Sequence, residues 1–146
     1  MTDLWPEDVG QVDESLKTPH QILKEQADLL GKKTSNVLLG RVKTRSLGVI
    51  LDDAEKDFSA DFSYSFSIVA PTLNNYQFRL FSISYDHKFY PVRISMDPDI
   101  LSEIGDFHNT ELTANNENEF LDILKKIFRA NKTNRIIKAL LAEINV

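Results

Sequence analysis

The chain has no cysteine, which excludes disulfide staples, thiolate nucleophiles and cysteine-built zinc sites. Its three histidines, His20, His87 and His108, are far apart and form neither an HxH nor an HxxxH pair, so no metal site is expected. Five glycines stand singly at positions 10, 31, 40, 48 and 105, which leaves no glycine-rich loop to cradle phosphate. No apolar run approaches the roughly 18 residues that a membrane span needs. The segment Met1–Asp8 is acidic rather than a basic stretch leading into an apolar core, so it does not read as a secretory signal. No internal repeat or low-complexity tract is present. With 42% hydrophobic and 27% charged residues among 146, the expectation is an ordinary soluble domain in the cytoplasm, large enough to bury a core.

What the chain does have is segregated charge. Residues 1–17 carry five acids against Lys17, a balance of −4, and residues 18–51 carry six bases and two acids, a balance of +4. Residues 52–117 hold twelve acids and four bases, and residues 118–146 hold six bases and three acids; the four blocks together give the net −5. Segregation of this kind bears on association and solubility.

The clearest local pattern is Phe62-Ser-Tyr-Ser-Phe-Ser-Ile68. Large apolar and small polar residues alternate with period two, which predicts a strand with Phe62, Tyr64, Phe66 and Ile68 on one face and Ser63, Ser65 and Ser67 on the other. Upstream, Thr18-Pro-His-Gln21 is a capping box with proline at the first helical position. The stripe Ile22, Leu23, Ala27, Leu30 then predicts a helix that stops near Gly31 and Lys32–Lys33. Residues 36–45 and 47–52 read as one bent strand or two. Pro71–Asn75 reads as a hairpin connection into a strand over 76–85, whose apolar set changes face at Leu80–Phe81; a β-bulge or two-sided burial would explain the switch. A strand over 89–95 contains Pro91, which points to a sheet edge. Residues 97–117 are acidic and irregular, with one short helix at 98–104. Two amphipathic helices close the chain, over 119–130 with Asn118 as cap and over 134–145, separated by Asn131–Thr133.

The predicted fold is therefore α+β: an N-terminal helix, an antiparallel meander of four to five strands, and two C-terminal helices packed on one sheet face. Residues 1–17 form an acidic, loosely ordered arm in which Trp5 is the one residue able to pin it to the body, and residues 18–146 form a single domain.

Arg41, Lys43 and Arg45 share one strand face, with Lys32 and Lys33 upstream, so these five are candidates for holding a partner or an anion. Tyr64, Phe66, Tyr76, Phe78 and Tyr85 are candidates for lining a pocket between sheet and helices, although such residues more often simply fill a core. The acidic set Asp52, Asp53, Glu55, Asp57, Asp61 lacks the glycine and ligand spacing of a calcium loop. Asp97, Asp99, Glu103 and Asp106, with His108, read as a solvated loop. Ser63, Ser65 and Ser67 have no nucleophile-elbow context. No metal and no cofactor is expected, and no catalytic grouping is visible.

The expectation is a small non-enzymatic protein that binds another macromolecule, in the first place a protein, as immunity, antitoxin-like and adaptor proteins do. A homodimer through the C-terminal helices or an edge strand is a further expectation. A cavity for a small ligand beneath the aromatic sheet face is the alternative. Nucleic-acid binding through the basic strand face is a weaker one, opposed by the acidic total.

Overall fold

A computed structural model of the chain describes residues 1–45, 60–105 and 110–145. The expected strand over 47–52, the acidic cluster between Asp52 and Asp57, and Asp106 and His108 lie outside the described residues. The fold is α+β: an N-terminal helix, a five-stranded antiparallel sheet in sequence order, and C-terminal helices.

Helix α1 spans Pro19–Lys33. Its capping box forms as read: the Thr18 hydroxyl accepts from the Gln21 N–H at 3.1 Å, and the Gln21 side chain accepts from the Thr18 N–H at 2.9 Å. The helix runs past Gly31, because the turn is closed by Thr34, whose hydroxyl donates to the Leu30 carbonyl and accepts from the Leu38 N–H.

Strands β1 (Leu39–Thr44), β2 (Phe62–Ala70) and β3 (Tyr76–Tyr85) follow. The β2–β3 hairpin turns through Asn74 and Asn75, both at positive φ, a conformation that asparagine tolerates better than most residues. The register shifts between Phe66/Phe81 and Ser67/Arg79, so Leu80 is the extra residue of a β-bulge. The bulge explains the face switch in β3. It brings Phe78 and Phe81, three positions apart, to the same side of the sheet, and one strand thus contributes both apolar sets to one core.

Strand β4 (Val92–Met96) pairs with β3 and with β5 (Leu112–Ala114). It is therefore interior, and the edge position expected from Pro91 is corrected: the proline falls just ahead of the strand, where no ladder hydrogen bond is asked of it. Helices α2 (Pro98–Ile104), α3 (Glu117–Phe128) and α4 (Asn131–Ile144) complete the fold. The α3 cap is Asn116, not Asn118; its side chain accepts from the Glu119 N–H at 2.9 Å. The break before α4 lies at Arg129–Ala130, and Asn131–Thr133 form that helix's first turn.

The acids of α2 have structural partners. Asp97 caps α2 and, with Asp99, holds the Lys132 ammonium at 3.0 and 2.6 Å. Glu103 accepts the Asn131 N–H with both oxygens, at 2.8 and 3.0 Å. Ala130 offers α4 no side-chain cap, so a carboxylate from the neighbouring helix satisfies the orphan donor and complements the helix dipole.

The core lies between the helices and one sheet face, around Phe66, Phe81 and Phe120 with Ile22, Leu23, Ile83, Ile94 and Ile127. Ser63, Ser65 and Ser67, on the other face, are also buried. Two of their hydroxyls find partners inside: Ser63 donates to the Ile83 carbonyl, and Ser67 accepts from Gln77. Small side chains between longer cross-strand neighbours, as Ser67 lies between Arg41 and Arg79, leave little surface to solvent.

One buried polar atom has no partner among the described residues, the Tyr90 hydroxyl. Burial pushes its pKa up to about 12, with the Glu117 charge adding to the effect. The ring packs edge-on against Phe120. Tyr90→Phe keeps that packing and removes a desolvated hydroxyl, so thermal melts should show it unchanged or stabilised by about 1 kcal/mol; a loss of that size would reveal a hidden hydrogen bond.

Candidate functional site

Helix α1 lies over β1, whereas α3 packs against β5 and α4 packs against α2 and α3. Between them a half-open cleft of about 410 Å³ remains. Its floor is Phe66 and Ile68 of β2 with the bulge residue Leu80 of β3. Those three are themselves buried, so accessible apolar surface comes from the walls. Leu29 and Leu30 of α1 form one wall, and Leu121, Leu124 and Phe128 of α3, with Ile137 of α4, form the other.

Helical periodicity produces these walls. Each helix must turn one stripe to the sheet, and Leu29 and Leu121 sit at the margins of their stripes. They remain 42 and 41% exposed, respectively, because no neighbouring element among the described residues closes the seam.

Among the described residues, the ionisable side chains that line the cleft are Lys33, Lys125 and Arg129, all cations. The two other polar lining residues are Gln26 and Thr133. The Thr133 hydroxyl is already engaged, donating to the Ile127 carbonyl at 2.7 Å. The site thus offers apolar surface ringed by positive charge, an arrangement suited to a ligand with an apolar body and acidic groups at its margins.

Of the residues singled out in the sequence, Phe66 and Lys33 reach this cleft. Lys32 is exposed in the last turn of α1. Arg41 and Lys43 project from the opposite face of the sheet, where Arg41 donates to the Gln77 side chain at 3.2 Å. Arg45 follows β1, its N–H donating to the Ser63 carbonyl.

Tyr64 and Tyr85 belong to a separate aromatic cluster at the start of α1. There His20 stacks on Tyr64 with ring centroids 3.9 Å apart, and Tyr64 and Tyr85 lie at 6.1 Å. His20 is thus partly covered rather than solvent-facing; burial and then Lys24 lower its pKa from the ordinary 6.5. Burial raises the Tyr85 pKa, and the neighbouring Tyr64 adds to it. Tyr76 is exposed, and Phe78 lies beneath the Lys132 ammonium at 5.6 Å. His87 is exposed beside Asp61, at 3.2 Å.

The sequence carried a signal for part of the cleft. Lys125 and Arg129 lie four apart, and Leu121 stands one helical turn before Lys125, so all three share a side of α3. Nothing local, however, joins that side to Leu29 and Lys33, some ninety residues earlier. Comparison with known protein families, with curated proteins and with solved structures found no match.

Proposed function

We propose that this chain is a non-enzymatic, cytoplasmic binding protein that takes a short apolar segment of a second protein chain, flanked by acidic residues, into the cleft between α1 and α3. The observation that carries this reading is the pairing of two exposed leucines, Leu29 and Leu121, across a cleft whose ionisable lining, among the described residues, is cationic. Burying such apolar surface supplies binding free energy at about 25 cal/mol per Å² before association costs are met. The rim charges contribute orientation and partner choice more than affinity. The cleft's half-open form favours a chain segment, because small-molecule sites usually engulf most of their ligand's surface.

The reading is tested with the dye anilinonaphthalene sulfonate, an apolar body carrying one negative group, and with its uncharged relative phenylnaphthylamine. The sulfonate dye should bind at one site per chain, and Lys125→Glu/Arg129→Glu should weaken it about tenfold or more while lowering the melting temperature by no more than about 5 °C, the effect of two reversed charges at the C-terminal end of α3. The uncharged dye should be indifferent to that substitution. A leucine-rich acidic peptide should displace the sulfonate dye, whereas the same peptide with lysines for its acids should not. If the dye binds and no acidic peptide displaces it, the ligand is a small amphipathic anion and the protein-partner reading fails. If the dye does not bind stoichiometrically to the monomeric chain, the cleft is not a binding site.

A further inference from the structure

Among the described residues, the most exposed large apolar side chains lie outside the sheet and helices, in the N-terminal arm. Leu4, Trp5, Val9 and Val12 are 88, 73, 61 and 83% exposed. Trp5 is thus left largely to solvent in the single chain. The arm nonetheless has local order. The Trp5 N–H donates to the Asp3 carboxylate at 3.0 Å, the Val9 N–H to the Pro6 carbonyl at 3.2 Å, and the Gln11 N–H to the Asp8 carbonyl at 2.9 Å. At its root Lys17 pairs with Glu25 at 2.9 Å. Glu25 is on α1 but is not among the residues that line the cleft.

The chain carries an apolar arm and an apolar cleft, each left uncovered by the other, which points to exchange between chains. We propose that the arm of a second copy occupies the cleft, reciprocally, in a symmetric arm-exchanged dimer. This inference rests on the reading of the cleft as the binding surface, and it names the occupant.

Leu4 and Trp5 enter between Leu29 and Leu121. Asp3, Glu7 and Asp8, which bracket that pair in sequence, meet Lys33, Lys125 and Arg129. Three carboxylates within six residues thus face three cations, and the arm as a whole carries −4. Tryptophan in a desolvated pocket is among the residues most enriched as anchors of protein interfaces. The bulk of the affinity resides there, and the charged rim fixes which segment is accepted. Because each chain gives one arm and receives one, both apolar surfaces are covered in a closed pair and no further copy is recruited.

The test uses the full-length chain, whose single tryptophan is Trp5. Sedimentation velocity and tryptophan emission are measured together from about 1 µM to about 200 µM, at low and moderate salt, a span that covers weak to moderate affinities. A monomer–dimer equilibrium is expected, with a blue shift of Trp5 emission that tracks the dimer fraction and weakens as salt rises. Trp5→Ala and Lys125→Glu/Arg129→Glu should each weaken the dimer about tenfold or more.

The decisive arm is a charge swap. A chain carrying Asp3→Lys/Glu7→Lys/Asp8→Lys should not self-associate, nor should Lys125→Glu/Arg129→Glu, yet their mixture should form a mixed dimer. A wild-type chain that stays monomeric with solvent-exposed emission overturns the inference. So does a dimer indifferent to Trp5→Ala. Blue-shifted emission at every concentration in a monomer overturns it too, since the arm would then be closing on its own cleft. Dye binding that persists in a monomeric wild type leaves the cleft reading standing and removes only the exchange; absence of stoichiometric dye binding to monomeric Trp5→Ala, whose arm no longer competes for the cleft, removes both.

Discussion

Gly40→Ala lowers the melting temperature by about 10 °C, an expected loss of about 2–3 kcal/mol in a chain of this size. A methyl at residue 40 would stand 2.5 Å from the Ala27 Cα, 2.7 Å from its Cβ and 3.1 Å from the Phe66 ring. Carbon atoms rest at about 3.5–4.0 Å, so helix and strand must separate by about an ångström. The first obstacle is helix backbone, not a side chain that can rotate away. Helix α1 cannot lift alone, because Ile22, Leu23 and Ala27 are all part of the core it would leave. Ala27→Gly in the Gly40→Ala background should therefore restore little, since it removes the Ala27 methyl but leaves the helix backbone just as close. The entropic benefit of Gly→Ala in the unfolded chain, about 0.4–1 kcal/mol, is too small to offset the clash. Thermal or urea melts of the single and double variants check the sign and the size. A Gly40→Ala chain that melts within about 2 °C of wild type would mean that α1 is not seated on β1 as described.

That close approach of helix to strand also marks where reading from sequence stops. The elements were legible because each is written locally. The capping box at Thr18–Gln21, the period-two run from Phe62 to Ile68, and the side switch at Leu80–Phe81 each describe a neighbourhood of a few residues. The structure places a capped helix, a strand and a bulge at those positions. Strand β5 escaped because three residues, Leu112–Ala114, are too few to show any period. The acids of 97–103 read as a solvated loop because their partners, Lys132 and the Asn131 N–H, lie about thirty residues onward. The serines of β2 read as an outer face and are buried, since their cover depends on side chains of neighbouring strands. The cleft was the hardest to see. It joins residues 26–33, 66–80 and 121–137, and no periodicity records that two helices packed on one sheet leave a gap between them. The basic stripe at Arg41, Lys43 and Arg45 was the more conspicuous pattern, yet Arg41 and Lys43 project from the other side of the sheet.

Phe66→Ala should be the more damaging substitution, lowering stability by about 3–5 kcal/mol and the melting temperature by about 15 °C. Phe66 is the ring at which sheet and helices meet. It stacks on Phe81 at 5.3 Å with the planes 5° apart and leans on Phe128 at 5.2 Å, while Phe81 and Phe128 lie 5.9 Å from one another. Truncation removes one member of a three-ring cluster, and the other two cannot close the void without pulling α3 toward β2. Phe66 is also cleft floor, so loss of dye binding in Phe66→Ala says nothing about function. The walls separate the two roles. Leu29→Ser/Leu121→Ser alters side chains that are about 40% exposed and outside the core cluster, so it should cost about 2 kcal/mol in total, well below Phe66→Ala. Its effect on ligand binding and on dimerisation should be at least tenfold. If the leucine pair proves as costly to stability as Phe66, then the seam between α1 and α3 is core that packs imperfectly. If it is cheap and abolishes binding, exposed leucine is kept at the seam for a partner, because a fold that gains so little from two such side chains has no structural reason to leave them there.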